Sequence, residues 1–191
     1  APLAGCARAC DAGSRPPEPL PEEWHDLSFS AGAGEAEQRA LLFAPAGSAA
    51  WPLVIALHGR GEAGRGLLAG AHGYRREYEL DRALERVTAP PLTAADAKGF
   101  LLPEQLTQYN ASLAATPYRG LKVACPYTPV PEGEESALAF FRFLKARLLP
   151  RVEEVSGREP TSKTGIDGIS MGGRYALEIG LAQAETFASV G

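Results

Sequence analysis

A serine at position 170 stands between two glycines, in the run Gly168-Ile169-Ser170-Met171-Gly172. A strand pattern over 163–169 precedes it, and a helix pattern over 171–184 follows it. A serine between a strand and a helix, with a glycine two positions before and after it, is typical of a nucleophile elbow. Such a turn strains the serine backbone, and side chains at the glycine positions would collide with neighbouring elements. The pattern therefore predicts that Ser170 attacks a carbonyl carbon in acyl transfer.

A second glycine-rich motif, Leu57-His58-Gly59-Arg60-Gly61, follows the apolar run 53–57. Where a nucleophile elbow is present, a loop in this place supplies one backbone N–H to an oxyanion hole, and the residue after the serine supplies another. We therefore expect the N–H groups of Arg60 and Met171 to stabilise the negative charge of a tetrahedral intermediate. The supporting residues of the two motifs are His58, Gly59, Gly61, Gly168 and Gly172.

The elements that must position these motifs alternate between strand and helix patterns. Residues 24–30 and 39–44 predict an antiparallel hairpin at a sheet edge. The continuously apolar run 53–57 predicts a parallel strand buried on both faces. Further parallel strands are predicted over 121–125 and 163–169, with a fourth strand from 187. Helices are predicted over 75–87, with Tyr78 in its apolar stripe, over 134–155, with Leu138 in the core, and over 171–184. The second is expected to kink or restart at Pro150. The order predicts an α/β fold with a doubly wound, mostly parallel sheet.

The chain divides into an N-terminal segment and one partial domain. Residues 1–23 combine prolines, glycines and charges without an apolar period, which predicts an extended, solvated tether. Residues 24–191 form the domain. Within it, residues 88–120 hold tandem prolines, scattered aromatics and no sustained period. An irregular stretch of that length is usually functional or has small elements of its own, so we interpret it as a lid or substrate-pocket insertion.

Composition excludes several classes of partner. The 191 residues are 45% hydrophobic and 22% charged, with a net charge of −4 and no run of Lys or Arg. Neither nucleic acid nor an anionic membrane surface is therefore expected as a partner. No stretch approaches the ~18 consecutive apolar residues of a membrane span. We predict neither a metal nor a cofactor.

The cysteines bear on the cellular location. Cys125 lies in an apolar run and is expected to be an inert core residue. The segment Leu3-Ala4-Gly5-Cys6, followed by a polar stretch, resembles the lipobox of bacterial lipoproteins, in which the cysteine carries a lipid anchor. A disulfide between Cys6 and Cys10 and a chance match are the alternatives. The lipobox and the disulfide both favour export, to the bacterial cell envelope or as a secreted protein.

Three runs together resemble the esterase families of the α/β-hydrolase superfamily: residues 57–62, residues 124–126 and residues 168–173. These families include the esterase D, feruloyl esterase and depolymerase-like groups and their predicted-peptidase relatives. The resemblance covers about residues 24–191. It implies an α/β-hydrolase fold and hydrolysis of a small-molecule or polymer-linked carboxylic ester through an acyl-enzyme on Ser170. Peptide or thioester cleavage by the same mechanism, and a non-catalytic binding module that kept the fold, are the alternatives.

The chain departs from these families in its catalytic acid and base. In the families the serine is followed by Asp or Glu and then by His, on loops after later strands. The 21 residues after Ser170 contain one carboxylate, Glu185, and no histidine. Three histidines precede the serine: His25, His58 and His72. We expect His58 to hold the oxyanion loop and His72 to serve packing. We expect that the chain stops early and therefore lacks its triad acid and base. We also expect that it has low esterase activity by itself.

Overall fold

The computed structural model of the protein describes residues 20–32, 36–157, 159 and 163–191. Six strands lie within these ranges: β1 (Trp24–Phe29), β2 (Gln38–Phe43), β3 (Leu53–Leu57), β4 (Lys122–Pro126), β5 (Thr164–Gly168) and β6 (Ser189–Val190). Most of the predicted tether lies outside the described residues, as do Cys6 and Cys10, so the lipid anchor stays a prediction.

The strands form one mixed sheet in the order β1-β2-β4-β3-β5-β6. β1 and β2 pair antiparallel, with Trp24 opposite Phe43, which confirms the predicted hairpin. β2 also pairs antiparallel with β4, whereas β4, β3, β5 and β6 run parallel. The central strand β3 therefore has a parallel neighbour on each side, as its continuously apolar sequence predicts.

Helices cover both faces of this sheet. They are α1 (Arg60–Ala63), α2 (Leu67–Ala71), α3 (Gly73–Arg76), α4 (Leu80–Thr88), α5 (Pro103–Ala115), α6 (Ser136–Phe143), α7 (Leu149–Ser156) and α8 (Met171–Ala182). Ile55 of β3 packs in the core beneath α6 and α8, which also contains Phe140 and Tyr175. Ala56 belongs to the opposite core with Tyr74 of α3. Successive strand residues thus fill two layers, which confirms the doubly wound α/β class.

The helix predicted over 75–87 is wrong in its first part. α3 ends at Arg76, and α4 begins only at Leu80, after Glu79 takes a left-handed backbone with φ of 52°. An L-residue in that conformation cannot continue a right-handed helix, so the chain turns between the two elements. None of the α4 residues is fully buried, and the helix therefore covers the sheet less completely than its pattern predicts.

Residues 88–120 contain a helix that the sequence did not predict, α5. None of its residues is buried, so it lacks the apolar stripe from which amphipathic helices are recognised. Pro103 at its first turn suits the fixed φ of proline. The Asn110 side chain accepts the Leu92 N–H at 2.7 Å and donates to the Leu92 carbonyl at 2.8 Å, which ties α5 to the preceding chain. The lid role of this segment stays a prediction.

The predicted helix over 134–155 is interrupted by a π-helical turn over Leu144–Leu148. Pro150 follows in the first turn of α7, where its missing N–H is tolerated, so the expected restart is confirmed. The assignment of Leu138 to the core is wrong, because its side chain is 45% exposed. At 3.6 residues per turn, Leu138 lies about 200° around the helix from the buried Phe140, on the solvent side.

The remaining cysteine behaves as predicted. Cys125 is fully buried and unpaired within β4, and its burial raises the pKa of the thiol. A protonated buried thiol is a poor nucleophile and metal ligand, so Cys125 is a core residue. No helix among the described residues is both long and apolar enough to cross a membrane.

Candidate active site

The two glycine-rich motifs leave the sheet side by side. β3 and β5 are parallel neighbours, and Leu57 is in register with Gly168 at the ends of the two strands. The Ile169 N–H then donates to the Leu57 carbonyl at 3.0 Å, so the contact continues into the loops. The structure therefore brings the predicted nucleophile and the predicted oxyanion loop to the same edge of the sheet, where ligands bind in open α/β folds.

The elbow at Ser170 has a strained backbone. Ser170 has φ of 57° and ψ of −114°, which few residues other than glycine adopt, and it is exposed at the start of α8. A Cβ atom on Gly168 would collide with the backbone of Gly172. A Cβ atom on Gly172 would collide with the carbonyl of Leu57. Close backbone contacts on both sides thus require glycine at these two positions and fix the direction in which the serine projects.

The two predicted oxyanion donors are the first residues of helices. Arg60 begins α1 after Gly59, and Met171 begins α8 after Ser170. The N–H groups in the first turn of a helix have no acceptor within the helix. Neither the Arg60 nor the Met171 N–H has a backbone acceptor elsewhere in the described part of the chain. Both groups are therefore available to an anion that forms beside the serine, and the positive end of the α8 dipole adds to them.

His58 is fully engaged by the backbone around it. The Thr128 N–H donates to its Nε2 at 2.8 Å, so the ring proton lies on Nδ1, which donates to the Gly59 carbonyl at 2.8 Å. The ring is buried, with 1% of the residue exposed, and desolvation lowers its pKa. A neutral imidazole with both nitrogens occupied has no lone pair left to accept a proton from Ser170.

The bond from His58 also orients the predicted oxyanion donor. The carbonyl of Gly59 and the N–H of Arg60 belong to one peptide unit, which is planar and trans. Holding the carbonyl toward the imidazole therefore turns the N–H to the opposite side of the unit. Gly59 has extended backbone with ψ of 179°, and its carbonyl also accepts the Ala63 N–H at 3.4 Å. The Gly59–Arg60 peptide is thus held through its carbonyl oxygen, and the Arg60 N–H on its other side stays free.

The other two histidines are associated with β1. The His72 Nε2 is 3.3 Å from the Asp26 carboxylate on β1, and that carboxylate also accepts two bonds from Arg39, at 2.7 and 2.6 Å. His25 lies on β1 as well. β1 and β5 are four strand positions apart in the sheet, which is about 19 Å at the usual spacing. None of the three histidines of the chain is therefore placed to deprotonate Ser170.

Two neighbours of the oxyanion loop were missed as site residues. Glu62 belongs to a recognised motif, but only its burial, with 9% exposed, distinguishes it from a surface carboxylate. Tyr78 was assigned to a helical stripe. The structure places the Glu62 Oε2 and the Tyr78 hydroxyl within 3.2 and 3.5 Å of the position that a Cβ on Gly59 would take. By contrast, a Cβ on Gly61 would meet nothing within 4 Å, so packing does not require glycine there.

Asp167 is a carboxylate three residues before Ser170. The Asp167 side chain accepts the Gly168 N–H at 2.7 Å, where it supports the end of β5. In the part of the chain that the structure describes, no group of three His, Cys, Asp or Glu side chains is arranged to hold a metal ion. The chemistry available from the described residues is therefore that of a serine hydroxyl beside two free backbone donors.

Comparison with known proteins agrees with this geometry. Residues 111–191, which include β4, β5 and the elbow, match the family described as Putative esterase. A search of curated protein sequences finds no match. The sequence match therefore covers the nucleophile motif and not the oxyanion loop, which precedes residue 111.

Several esterase structures have the same fold. A ferulic acid esterase from Anaeromyces mucronatus superposes with a TM-score of 0.52 at 18% identity, over 88% of this chain and 57% of that one. Another ferulic acid esterase gives 0.56 at 14% identity, over 86% and 56% of the two chains. The enterobactin esterase of Shigella flexneri gives 0.50 at 14% identity, over 90% and 36%.

At these identities the likeness establishes the fold alone, and the chain spans little more than half the length of the first two structures. The protein thus has the fold of these esterase structures, and residues 111–191 match the family described as Putative esterase.

Proposed function

We propose that the protein is a serine carboxylic-ester hydrolase in which Ser170 forms an acyl-enzyme. The observation that carries the proposal is the placement of Ser170, in a strained turn at the head of α8 and beside the oxyanion loop that follows β3. An exposed serine in that conformation has no packing role that would compensate for its strain. Its proposed use is to present the hydroxyl to a bound carbonyl group.

In the proposed reaction the Ser170 oxygen bonds to the ester carbonyl carbon, and a general base takes the hydroxyl proton. The carbonyl oxygen becomes an oxyanion that accepts hydrogen bonds from the N–H groups of Arg60 and Met171. The carbon–oxygen bond to the alcohol then breaks, and the alcohol leaves with the proton. Water then attacks the acyl carbon while the base takes a water proton. The bond from that carbon to the Ser170 oxygen breaks, the proton passes to Ser170, and the acid is released.

The base and its acidic partner are not supplied by these residues. His58 has both nitrogens occupied, His25 lies on β1, and the His72 ring is directed at the Asp26 carboxylate. A serine hydroxyl without a base is a weak nucleophile. We therefore propose that the triad histidine and its carboxylate belong to sequence outside residues 1–191, and that these residues alone have little activity.

The proposed substrate is a small-molecule or polymer-linked carboxylic ester. Two of the similar structures are named for ferulic acid and one for enterobactin, which are ester-forming compounds of different sizes. The elbow is common to ester, thioester and peptide cleavage, so a panel with one substrate of each class is needed to distinguish them. We expect turnover of the ester and slower turnover of the thioester and the peptide.

The test compares Ser170→Ala with a matched serine variant, Ser28→Ala, at an exposed position of β1. The natural protein that contains this chain is assayed with p-nitrophenyl acetate and labelled with a fluorophosphonate. We expect labelling and turnover in the wild type and Ser28→Ala but not in Ser170→Ala. Equal labelling of all three proteins would refute Ser170 as the nucleophile. An absence of labelling in all three would favour the non-catalytic binding module.

A further inference from the structure

Glu62 is an acidic side chain buried next to the oxyanion loop. It lies two residues after Arg60 in α1, and only 9% of the residue is exposed. Carboxylates are seldom buried unless a partner compensates for the lost hydration. The backbone of α3 packs directly on its stem, since a Cβ atom on Gly73 would lie 2.8 Å from the Glu62 Cγ. The side chain is therefore held in one place by the surrounding backbone.

Its partner is the hydroxyl group of Tyr78. Both the Glu62 Oε2 and the Tyr78 hydroxyl lie over Gly59, at 3.2 and 3.5 Å from where its Cβ would be. Burial first, and then the nearby Glu62 carboxylate, raise the pKa of Tyr78. The phenol thus stays protonated at physiological pH and is a neutral donor next to the carboxylate.

The phenol ring has its own rigid support. It packs edge-on against Tyr74, with ring centroids 5.1 Å apart and an angle of 84° between the planes. The Tyr74 hydroxyl in turn donates to the carbonyl of Leu57 at 3.3 Å, at the end of β3. Tyr78 is therefore connected to the strand from which the oxyanion loop departs, and not only to the loop itself.

We propose that Glu62 and Tyr78 are positioning residues, a carboxylate–phenol pair that holds the Gly59–Arg60 peptide with its N–H directed at the Ser170 acyl group. This inference rests on the proposed function. His58 holds the carbonyl of that peptide from one side. The pair closes over the Cα of Gly59 from another side, so rotation of the peptide is blocked. A donor that is fixed before the reaction stabilises an oxyanion without reorganisation at the moment of attack.

The pair acts through the peptide and does not contact the ester. Removing the phenol hydroxyl should therefore affect the transition state, where the oxyanion exists, more than the binding of the substrate. In the natural protein that contains this chain, Tyr78→Phe should lower kcat for p-nitrophenyl acetate by about tenfold and leave KM within about twofold. The control is Tyr175→Phe, which removes a phenol hydroxyl from the core between α6 and α8 and should match the wild type in kcat.

The role of Glu62 is tested by a conservative substitution that should keep the rate and by a double variant with Tyr78. Glu62→Ala removes the acceptor and should lower kcat by a similar factor, whereas Glu62→Gln keeps the shape and an acceptor oxygen and should retain most of the rate. The double variant Glu62→Ala/Tyr78→Phe should be no slower than the slower single variant, because the two groups act as one unit. If Glu62→Ala fails to fold, Tyr78→Phe and Glu62→Gln still decide the question.

The outcomes separate this inference from the proposed function. Equal kcat in Tyr78→Phe and Tyr175→Phe, with Ser170→Ala inactive, would overturn the positioning role and leave the esterase proposal standing. A change in KM alone would also overturn it, since that would mean contact with the substrate. Wild-type turnover that persists in Ser170→Ala would overturn both proposals together.

Discussion

The Thr128 N–H donates to the Nε2 of His58 across 2.8 Å, and this bond selects the tautomer that donates to Gly59. Thr128 is buried and follows β4, so a residue from the neighbouring strand decides how the imidazole after β3 is protonated. The oxyanion loop is thus held by the sheet through a side chain rather than by the sheet directly. The histidine is therefore a support of the loop and not an acceptor for the Ser170 proton.

The first prediction concerns that support. His58→Ala removes both ring bonds, so the Gly59–Arg60 peptide is free to rotate and its N–H loses its fixed direction. We expect kcat of the natural protein to fall by about 10²-fold, as for the loss of one oxyanion donor. The control is His25→Ala, which removes one 3.4 Å bond on β1. Ester hydrolysis by the two variants is compared, and an active His58→Ala protein would contradict the proposed support.

Much of the fold was predictable from the sequence because its signals are local. The run 53–57 is apolar at every position since β3 is buried on both faces, and the structure has a strand with those bounds. The elbow was predictable for a related reason: steric exclusion at Gly168 and Gly172 leaves a trace in residue type. In both cases the contact allows only one kind of residue, so the pattern can be recognised without knowing which element packs against it.

What the sequence could not predict depends on contacts between distant segments. Nothing around Thr128 indicates that its N–H meets His58, because the bond joins residues 70 positions apart. Tyr78 fits the apolar spacing of the predicted helix over 75–87. The left-handed backbone of Glu79 separates α3 from α4, however, and the Tyr78 hydroxyl lies over Gly59. α5 left no pattern because no side chain of it is buried.

A second prediction follows from the buried histidines. Burial lowers the pKa of both His58 and His72, chiefly through desolvation, below the ordinary value of 6.5. As the pH falls below about 6.5, the unfolded chain therefore binds protons that the folded protein does not, and the free energy of unfolding decreases. Above that pH the contribution is fully present.

Urea denaturation between about pH 7.5 and pH 5.5 measures this dependence. We expect stability to fall toward pH 5.5 in the wild type and to fall less steeply in His72→Gln, because glutamine does not titrate. Leu181→Ala, at an exposed position of α8, is the control without a titrating group, and its slope should equal that of the wild type. A free energy of unfolding that stays constant across this range would show that neither ring is held neutral.

The third prediction compares two glycines of the site. A Cβ on Gly172 would collide with the Leu57 carbonyl, which β3 holds in place, so Gly172→Ala should destabilise the protein by about 2 kcal/mol or more. Gly61 lies in α1 with open space around it, and Gly61→Ala should be neutral or stabilise by about 0.5 kcal/mol. Urea denaturation of the two variants checks the difference, and equal stabilities would argue against a close approach of the elbow to β3.

The last prediction concerns the strain stored at Ser170. With φ of 57° and ψ of −114°, this backbone is costly for any residue with a Cβ atom but not for glycine. Ser170→Gly should therefore be more stable than Ser170→Ala by about 1 kcal/mol or more, although both lack the nucleophile. Alanine is the matched control because it removes the hydroxyl and keeps the strain. If the two unfold at the same urea concentration, the serine backbone is relaxed, and the geometry that carries the proposed function loses its support.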